Sequence, residues 1–565
     1  MAYDHIAIRF LWRPQLLTRV SSPPGWRGFP KQCVFTGIEQ IGKGRGECIM
    51  SATRRAIWRL LLGISLALLL VCSARLGDVT AQPKGQITQA IHFTIAPTYF
   101  DPAETISITS FLFLYALHDA LVKPMPGNPM TPSLAESWSE SEDGLTYEFK
   151  LRQGVTFHNG DPLTAEDVQF SFERYRGQSA KLFKEKVKQV EIVDPHLMRF
   201  HLQEPWPDFM TFYTSMSASA GWIVPKKYLE QVGDDGFKKH PIGAGPYKFV
   251  SQKQGIELIL EAYAGYWRKT PNVHRIVMRS IPDDATRLAA LKTGEADIAY
   301  AMMGALAEDV QRNSKLTLAY SAGQGVFFIY FNEQWDPKSP WHDLRVRQAL
   351  NFAIDRQALS EQQTLGASPP TANIVPRAFE FALPIEAYPY NPQKAKQLLQ
   401  EAGYPNGFDA GEITSGPPYH TLAEGVANYL QAVGIRIKTR PMERAALQTA
   451  LREKRLPGLT SSGSGTLGNA ATRLEPYVPS WGEFARGGYP DIDALYKQQA
   501  LERDRQKREV LLHQIQRLMH ERALYAPLYE LVWPNGVGPR VAEAGFGLIP
   551  HFFYTGPYEE IRLRE

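Results

Sequence analysis

Short strand-like runs alternate with longer segments of helical spacing along most of the chain, and this alternation restricts the fold more than any other feature. Strands separated by helices at this spacing are typical of α/β domains. Because one hydrophobic core does not serve 565 residues, the pattern predicts two or three α/β lobes. The predicted strands are Ile87–Thr94, Thr146–Leu151, Glu257–Glu261, Arg275–Ile281, Gly325–Phe331 and Ile435–Thr439. The predicted helices are Pro162–Tyr175, Asp283–Thr293, Leu344–Gln363, Pro392–Ala402, His420–Val433, Glu443–Glu453 and Asp491–Leu524.

An early segment, residues 50–81, has the layout of a secretory signal. Three arginines lie near its start, and the following 15 residues, Leu60–Ala74, carry no charge. Fifteen helical residues rise about 22 Å, less than the roughly 30 Å of a hydrocarbon core, so a membrane-spanning anchor is not expected. Small residues before Gln82 favour cleavage there. We interpret residues 50–81 as a signal peptide and residues 1–49 as a non-native N-terminal extension, because an export signal acts from the N-terminus.

The arginine pair of this segment leaves two export routes open. The sequence around Arg54 and Arg55 resembles a twin-arginine signal, but it also fits the positively charged start of an ordinary Sec signal, which is the interpretation that we prefer. Cys72 follows a leucine and the bulky Val71. This is a poor context for lipidation, so no lipid anchor is predicted. Both routes predict a periplasmic protein.

Removal of the signal changes the charge and the cysteine content. The whole chain has 62 Lys+Arg against 58 Asp+Glu, a net charge of +4. Residues 1–81 contain 11 of the basic and 4 of the acidic residues, which leaves 51 basic and 54 acidic residues and a net charge of −3. All three cysteines also lie in that segment. The exported chain is therefore expected to have no disulfide, no thiolate metal site and no nucleic-acid partner.

No motif for an activated nucleophile occurs in the sequence. Gly-x-Ser-x-Gly and His-Glu-x-x-His are both missing. The run from Gly37 to Lys43 imitates a phosphate-binding loop, but Gly44 stands where a Ser or Thr would hold magnesium. His513 and His520, on the predicted C-terminal helix, fit a solvated helix face. The sequence thus predicts no catalytic residue, no metal site and no cofactor, and it does not favour an enzyme.

From about residue 86 to the C-terminus the chain carries a series of motifs whose order is characteristic. The densest stretch comprises Pro132–Trp138, Asp143–Arg152, Gly154–Gly160 and Pro162–Val168. With these motifs the chain resembles the peptide/nickel/oligopeptide substrate-binding proteins of ABC importers, which are family 5 of the extracellular solute-binding proteins. The remaining motifs are Asp101-Pro102, Gly243–Phe249, Tyr266-Trp267, Thr286-Arg287, Gly294–Asp297, Asp343–Leu350, Ala353–Arg356, Ala395–Leu399, Glu401–Gly407, Tyr489–Leu495 and Ala526–Tyr529.

The resemblance implies an α/β, two-lobed periplasmic-binding-protein-like fold (type II), with an extra inserted subdomain and two hinge strands. The ligand would lie between the lobes, and their closure would create a shape that a permease distinguishes from the empty form. Gly323-Gln324-Gly325 is the predicted hinge, with a tight turn before a buried strand as the alternative. The predicted boundaries are 82–121, 244–333 and 532–565 for lobe I, 122–243 for the inserted subdomain and 334–531 for lobe II.

The ligand-binding residues are predicted from the positions that face the cleft in this family. The loop Pro97–Phe100 is expected to form one lip, and Ser415–His420 and Ser461–Trp481 are expected to face it from the other lobe. Such clefts typically have aromatic walls and a few aimed polar groups. The predicted ligand-binding residues are Tyr99, Phe100, Gln324, Tyr419, His420, Arg473, Tyr477 and Trp481.

One departure from the family pattern bears on the solute. Peptide-binding members carry an acidic stretch in the second lobe whose carboxylate pairs with the amino terminus of the peptide. Here the corresponding residues, 460–476, contain Glu475 as their only acid. A buried ammonium without a partner costs several kcal/mol. We therefore expect a neutral or anionic solute rather than a generic peptide, with Arg473 as its counter-charge. A nickel complex stays open, but no cluster of His and Met residues supports it.

The function that the resemblance implies is that of an extracytoplasmic solute receptor of an ABC importer. Its partners would be a small organic solute (an oligopeptide or a peptide-like molecule) and the permease and ATPase complex at the membrane, and the receptor is expected to be a monomer. One alternative is an exported hydrolase for a peptide- or sugar-like substrate, which would need an activated nucleophile. The other is a periplasmic sensor or chaperone that works without a permease.

Overall fold

The computed structural model describes residues 82–105, 108–214, 220–465, 468–550 and 552–565, with only the backbone of Gln324. The predicted signal peptide and N-terminal extension lie outside the described residues. The strands are β1 (Lys84–Ile91), β2 (Asp119–Ala120), β3 (Val122–Met125), β4 (Asn128–Pro132), β5 (Ala135–Glu140), β6 (Thr146–Leu151), β7 (Val187–Asp194), β8 (Leu197–Leu202), β9 (Trp222–Ile223), β10 (Tyr247–Lys253), β11 (Glu257–Ala262), β12 (Val273–Ser280), β13 (Ile298–Ala299), β14 (Thr317–Phe331), β15 (Phe408–Ser415), β16 (Ile435–Pro441), β17 (Leu459–Ser464), β18 (Tyr525–Val537), β19 (Val541–Glu543) and β20 (Arg562–Leu563).

A mixed sheet runs through both lobes in the order β10-β11-β12-β1-β13-β18-β14-β17-β15-β16. Strands β12, β1 and β13 are parallel neighbours at one end, and β17, β15 and β16 are parallel neighbours at the other. The two long strands β14 and β18 pair antiparallel between these groups. Because a parallel group covered by helices is the core of an α/β lobe, each end of the sheet belongs to one lobe. We call the β10–β13 end the first lobe and the β15–β17 end the second lobe.

The helices of the described residues agree with most of the helical segments predicted from the sequence. None of them is long and apolar enough to cross a membrane. The helices are α1 (Phe111–Leu117), α2 (Ala165–Glu173), α3 (Ala180–Lys186), α4 (Phe209–Tyr213), α5 (Lys226–Lys239), α6 (Asp284–Thr293), α7 (Ala305–Arg312), α8 (Leu344–Ala353), α9 (Arg356–Thr364), α10 (Pro392–Glu401), α11 (His420–Ala432), α12 (Arg444–Arg452), α13 (Ala470–Leu474), α14 (Pro490–Leu501) and α15 (Arg505–Glu521).

Two segments predicted as single helices are each divided in two, and both predictions were wrong at the break. The first break lies between α8 and α9. The carboxylate of Asp355 accepts a hydrogen bond from the amide of Ala358 at 3.0 Å and so caps the start of α9. Asp504 does the same for α15, accepting from the amides of Gln506 and Lys507 at 3.0 Å each. A carboxylate at the N-cap stabilises a new helix start, so the apolar spacing continues across the break although the helix does not.

A second sheet, β5-β6-β8-β7, is antiparallel and stands apart from the central one. Its apolar face packs on an aromatic core that includes Phe149, Phe200 and Tyr213, all fully buried. We call this unit the inserted subdomain, because its core residues lie between Leu121 and Ala244 in the chain, within the first lobe. The predicted domain boundaries stay predictions.

The two long strands β14 and β18, which lie between the two parallel groups of the sheet, have an irregular register at the predicted hinge. Ala322 pairs with Val532, and the next pair is Val326 with Glu530, so three residues of β14 lie opposite one residue of β18. A Cβ added to Gly323 would lie 1.9 Å from the ring of Phe553. Glycine is therefore needed here because an aromatic ring approaches the backbone closely. The interrupted pairing suits a hinge, which stays a prediction.

Candidate functional site

A cavity lies between the lobes beside the crossing strands. Trp533 of β18 forms part of its floor, and Ser461–Ser464 of β17 forms one wall. Thr109 of the first lobe faces Arg444, the first residue of α12 in the second lobe. The other lining residues are Ile108, Gln178, Tyr330, Gly416, Pro417, Tyr419, Leu447, Gln448, Leu451, Gly465, Tyr477, Phe484, Leu531, Phe553 and Tyr554.

The lobes meet across this cavity, so the structure is a closed one. Nη1 of Arg444 and Nε2 of Gln448 reach Oγ1 of Thr109 at 3.4 and 3.5 Å. The cavity has a volume of about 90 Å³. At 10–15 Å³ per water molecule this is room for roughly six to nine waters. In its closed form the cavity fits a small solute.

Aromatic side chains give the cavity a rigid wall. The indole Nε1 of Trp533 donates to the hydroxyl of Tyr419 at 3.0 Å, and the Tyr419 ring lies 4.2 Å from the ring of Phe327. The ring of Phe553 lies 4.9 Å from that of Trp533. Burial raises the pKa of Tyr419, which therefore keeps its proton and stays neutral. The wall offers stacking surface without a negative charge.

The charge inside the cavity has one sign. Among the described residues that line it, Arg444 is the only one with a charged side chain, and none is an Asp or a Glu. The neighbouring Glu443 does not line the cavity; it is exposed, and its carboxylate accepts from the amide of Ala446 at 3.0 Å. A cationic group of a solute would find no carboxylate in this lining.

Two of the predicted site residues, Tyr419 and Tyr477, line the cavity. Tyr99 and Phe100 do not, because both are buried in the core of the first lobe, where Tyr99 stacks on Phe113 with the ring centroids 5.8 Å apart. His420 lies just outside the lining and contacts the hydroxyl of Ser415. The side chain of Gln324 lies outside the described residues.

Arg473, predicted as the counter-charge of the solute, is placed elsewhere. Its side chain is fully buried, and Nη1 donates to the backbone carbonyls of Ile374 and Ser464 at 3.2 and 3.1 Å. The guanidinium also lies over the ring of Phe379, 5.1 Å from its centroid. Burial lowers the pKa of Arg473 to about 10. These contacts explain Arg473 as a structural residue that fixes the loop after β17.

Trp481, the last predicted site residue, lines a different cleft. This second cleft has a volume of about 750 Å³ and lies between α3 of the inserted subdomain and α14 of the second lobe. Nζ of Lys497 already lies over the Trp481 ring, 5.2 Å from its centroid. The rim is open, and Leu501 is 46% exposed there. The second cleft therefore lacks the enclosure that a solute cavity between the lobes provides.

Polar groups of the inserted subdomain and the second lobe meet away from the cavity. The carboxylate of Asp208 pairs with Arg508 and accepts from the Asn469 amide at 2.7 Å. The hydroxyl of Ser179 donates to the Glu475 carboxylate at 3.0 Å. Asp208, Arg508 and Glu475 are all at least nine-tenths buried. These contacts join the inserted subdomain to the second lobe, so we expect them to affect closure without touching the solute.

The sequence reasoning missed Arg444, Trp533, Phe553 and Tyr554 as cavity residues. Arg444 had a signal, because it is the second residue of the predicted helix Glu443–Glu453, which follows the predicted strand Ile435–Thr439. Ligands bind at the sheet edge where such strands end. The three aromatic residues had no such signal. Trp533 lies on β18, and Phe553 and Tyr554 reach the cavity because the later chain segment that carries them packs against Trp533. The segments Ser415–His420 and Ser461–Trp481 do contribute lining residues.

A serine–histidine contact bears on the hydrolase alternative. Oγ of Ser415 lies 3.0 Å from Nδ1 of His420. Neither residue lines the cavity, and no described residue forms a hydrogen bond with Nε2 of His420 to orient the ring. A nucleophile needs an oriented base and access to the substrate. In the described part of the chain, no group of three His, Cys, Asp or Glu residues is arranged to hold a metal ion.

Comparisons with known proteins identify the family. The family model described as "Bacterial extracellular solute-binding proteins, family 5 Middle" matches residues 129–484. Heme-binding protein A of Haemophilus influenzae is 31% identical over 484 residues, which cover 79% of this chain and 87% of that protein. The chain belongs to family 5 of the bacterial extracellular solute-binding proteins. The resemblance seen in the sequence is thereby confirmed.

Two further relatives of this family 5 protein have names or titles that mention other ligands. The glutathione-binding protein GsiB of Pectobacterium atrosepticum is 34% identical over 321 residues, which cover 55% of this chain and 60% of GsiB. The solved structure of the ABC transporter-associated periplasmic binding protein DppA from Helicobacter pylori, in complex with the peptide STSA, has a TM-score of 0.74 and 25% identity. It covers 85% of this chain and 98% of that chain.

These relatives confirm the predicted fold and the main predicted function. The family 5 protein is a two-lobed α/β solute receptor of an ABC importer that acts outside the cytoplasm. It binds a peptide or a related small solute between its lobes and works with a membrane permease. The relatives are named as binding proteins, and DppA is named as associated with an ABC transporter.

Proposed function

We propose that this receptor serves one importer as a monomer and closes on a small organic solute other than a generic peptide. The observation that carries the proposal is the lining of the cavity, where the described residues include no carboxylate. The amino terminus of a peptide is an ammonium group, and its burial without a partner costs several kcal/mol. A peptide would therefore bind weakly in this cavity.

The names of the relatives do not decide the solute, because they mention heme, glutathione and a tetrapeptide. The volume of about 90 Å³ favours a molecule much smaller than heme. Heme and glutathione share one chemical feature with the solute that this cavity would favour, since both carry carboxylate groups. A small neutral or anionic solute agrees best with the lining and the volume.

The remaining parts of the proposal concern chemistry and location. The receptor releases its solute unaltered to the permease and ATPase complex, because the Ser415–His420 pair has neither a third orienting group nor access to the cavity among the described residues. The signal at residues 50–81 directs Sec export to the periplasm, without a lipid anchor on Cys72. A sensor that works without a permease would not need a closed form in which the solute is carried to a membrane complex.

Titration calorimetry with unmodified dipeptides to pentapeptides tests the proposal. We expect dissociation constants weaker than about 100 μM, roughly 100-fold weaker than a 1 μM receptor, which corresponds to a loss of about 2.7 kcal/mol. The same samples, analysed by mass spectrometry after a day, are expected to contain intact peptides. Micromolar or tighter binding of plain peptides would contradict the choice of solute, and cleaved peptides would contradict the absence of catalysis.

A further inference from the structure

The side chain of Arg444 is half-buried at the cavity and keeps one donor that the protein itself does not use. Its Nη1 contact with Thr109 is long, at 3.4 Å, and its Nε is buried without a hydrogen-bond acceptor among the described residues. No described carboxylate lies within ion-pair distance of the guanidinium. The guanidinium lies over the ring of Phe93, 5.5 Å from its centroid, but this contact does not neutralise its charge. Part of the hydration that Arg444 loses on closure is therefore not replaced until an anion binds, and closure on an empty cavity is disfavoured.

A second donor without a partner lines the same cavity. Ser461 of β17 is 1% exposed, and its hydroxyl makes no hydrogen bond with any described group. Buried hydroxyl groups are almost always hydrogen-bonded in folded proteins. Arg444 and Ser461 together leave the cavity with donors and a positive charge but with no carboxylate to match them.

Resting on the proposed function, we infer that the solute is a compact organic acid whose carboxylate pairs with Arg444 and whose body stacks on the wall of Tyr419, Trp533 and Phe553. The planar guanidinium suits a carboxylate, which accepts two of its N–H groups at once. The solute thus completes the charge balance of the closed form. An empty receptor keeps the penalty of an enclosed arginine, and this difference couples binding to closure.

Three probes with the same body and different charges test this inference. Benzoate carries only a carboxylate, benzamide is neutral and benzylamine carries only an ammonium group, and each has about nine non-hydrogen atoms, in keeping with room for roughly six to nine waters. Calorimetry on the wild-type protein is expected to show the acid binding roughly 10- to 100-fold tighter than either of the other two probes, the range that hydrogen bonds to a charged group supply. The same series built on isovalerate and on propionate covers other body shapes.

The Arg444→Gln variant is expected to lose this preference, while Arg444→Lys keeps part of it, because lysine retains the charge without the planar fork. Arg440→Gln is the matched control, since Arg440 pairs with Glu412 on the exposed edge of β16, outside the lining, and should leave all affinities unchanged. Unchanged thermal unfolding of the Arg444 variants would show that they fold.

Four outcomes would overturn the inference: no acid of the three series binds, the amides bind as tightly as the acids, the ammonium compounds bind best, or the preference survives in Arg444→Gln. Native mass spectrometry of the gently purified protein separates this failure from a failure of the proposed function. A retained cationic or neutral solute would agree with the proposed function as a solute receptor but would contradict the role of Arg444. A protein that retains nothing and binds none of the probes would contradict both.

Discussion

Replacing Asp208 with Asn weakens solute binding by roughly 100-fold or more, although Asp208 does not line the cavity. In the closed form Asp208 pairs with Arg508 across the two lobes, and both side chains are less than 10% exposed. Removing one partner of a buried pair costs about 3–5 kcal/mol, because the other charge stays buried and uncompensated. In the open form the Arg508 side chain can reach water, so the cost falls on closure. Calorimetry with the solute that native mass spectrometry identifies measures the loss.

The double variant Asp208→Asn with Arg508→Gln provides the internal control. Removing both charges leaves two amide groups that can hydrogen-bond with each other, so most of the lost affinity should return. Glu140→Gln is the matched surface control, because Glu140 pairs with Arg503 of the second lobe at 3.8 Å while both side chains are more than 40% exposed. It should change the affinity by less than about 1 kcal/mol. A single variant that binds like wild type would show that this pair does not govern closure.

The affinity for the solute rises about tenfold as the pH falls from 8 to 6, because closing the lobes takes up a proton on Glu475. The carboxylate is 6% exposed in the closed form, facing Ser179 of the inserted subdomain. Burial raises its pKa from the ordinary 4.5 to about 7, the nearby carboxylates of Glu483 and Glu185 add to the rise, and the Ser179 hydroxyl opposes it. The other charged groups around this second cleft are Lys181, Lys186, Glu204, Arg452 and Lys497.

The direction of this pH effect follows from the pKa of Glu475 in the closed form and in the open form. A group whose pKa is higher in the closed form than in the open form binds its proton more tightly when closed, so acid favours closure. With pKa values of about 7 and 4.5, the gain is small above pH 8, reaches about tenfold at pH 6 and keeps growing toward pH 5. Titrations at pH 8, 7 and 6 in buffers of equal ionic strength measure it.

Glu475→Gln separates this proton uptake from other pH effects. The amide resembles the protonated carboxyl in shape and stays neutral, so the variant should bind at pH 8 about as tightly as wild type does at pH 6, with a flat profile between them. Glu204→Gln is a useful comparison, because Glu204 lines the same cleft but pairs with Lys186 and does not act on Glu475, so this variant should keep the wild-type slope near neutral pH. A wild-type profile that is flat, or a Glu475→Gln profile that keeps its slope, would contradict the linkage.

The architecture could be predicted from the sequence because its signals are local. The strand Thr146–Leu151 was predicted with the bounds that the structure has, since alternating apolar residues and flanking turns mark it. The crossing strand β14 was predicted only from Gly325 onward, because its earlier half, from Thr317, lies in the first lobe and is partly exposed. The breaks before α9 and α15 were missed because each depends on a single Asp cap.

The site was harder to predict because it depends on contacts between distant residues. Arg473 and Arg444 look alike in the sequence, and both lie in segments assigned to the second lobe. Arg473 donates hydrogen bonds to the carbonyls of Ile374 and Ser464. Arg444 instead contacts Thr109 of the first lobe, 335 positions earlier in the chain. Only the packing of α12 against the first lobe distinguishes the buried structural Arg473 from Arg444, which lines the cavity.

Small-angle X-ray scattering on one preparation tests closure on a solute most directly. The protein is unfolded, dialysed free of its solute, refolded and measured, and the solute identified by native mass spectrometry is then added back to saturation. We expect the radius of gyration to fall on addition, because the contacts of Asp208 with Arg508 and of Ser179 with Glu475 form only when the lobes meet. Identical scattering profiles with and without a bound solute would contradict the account.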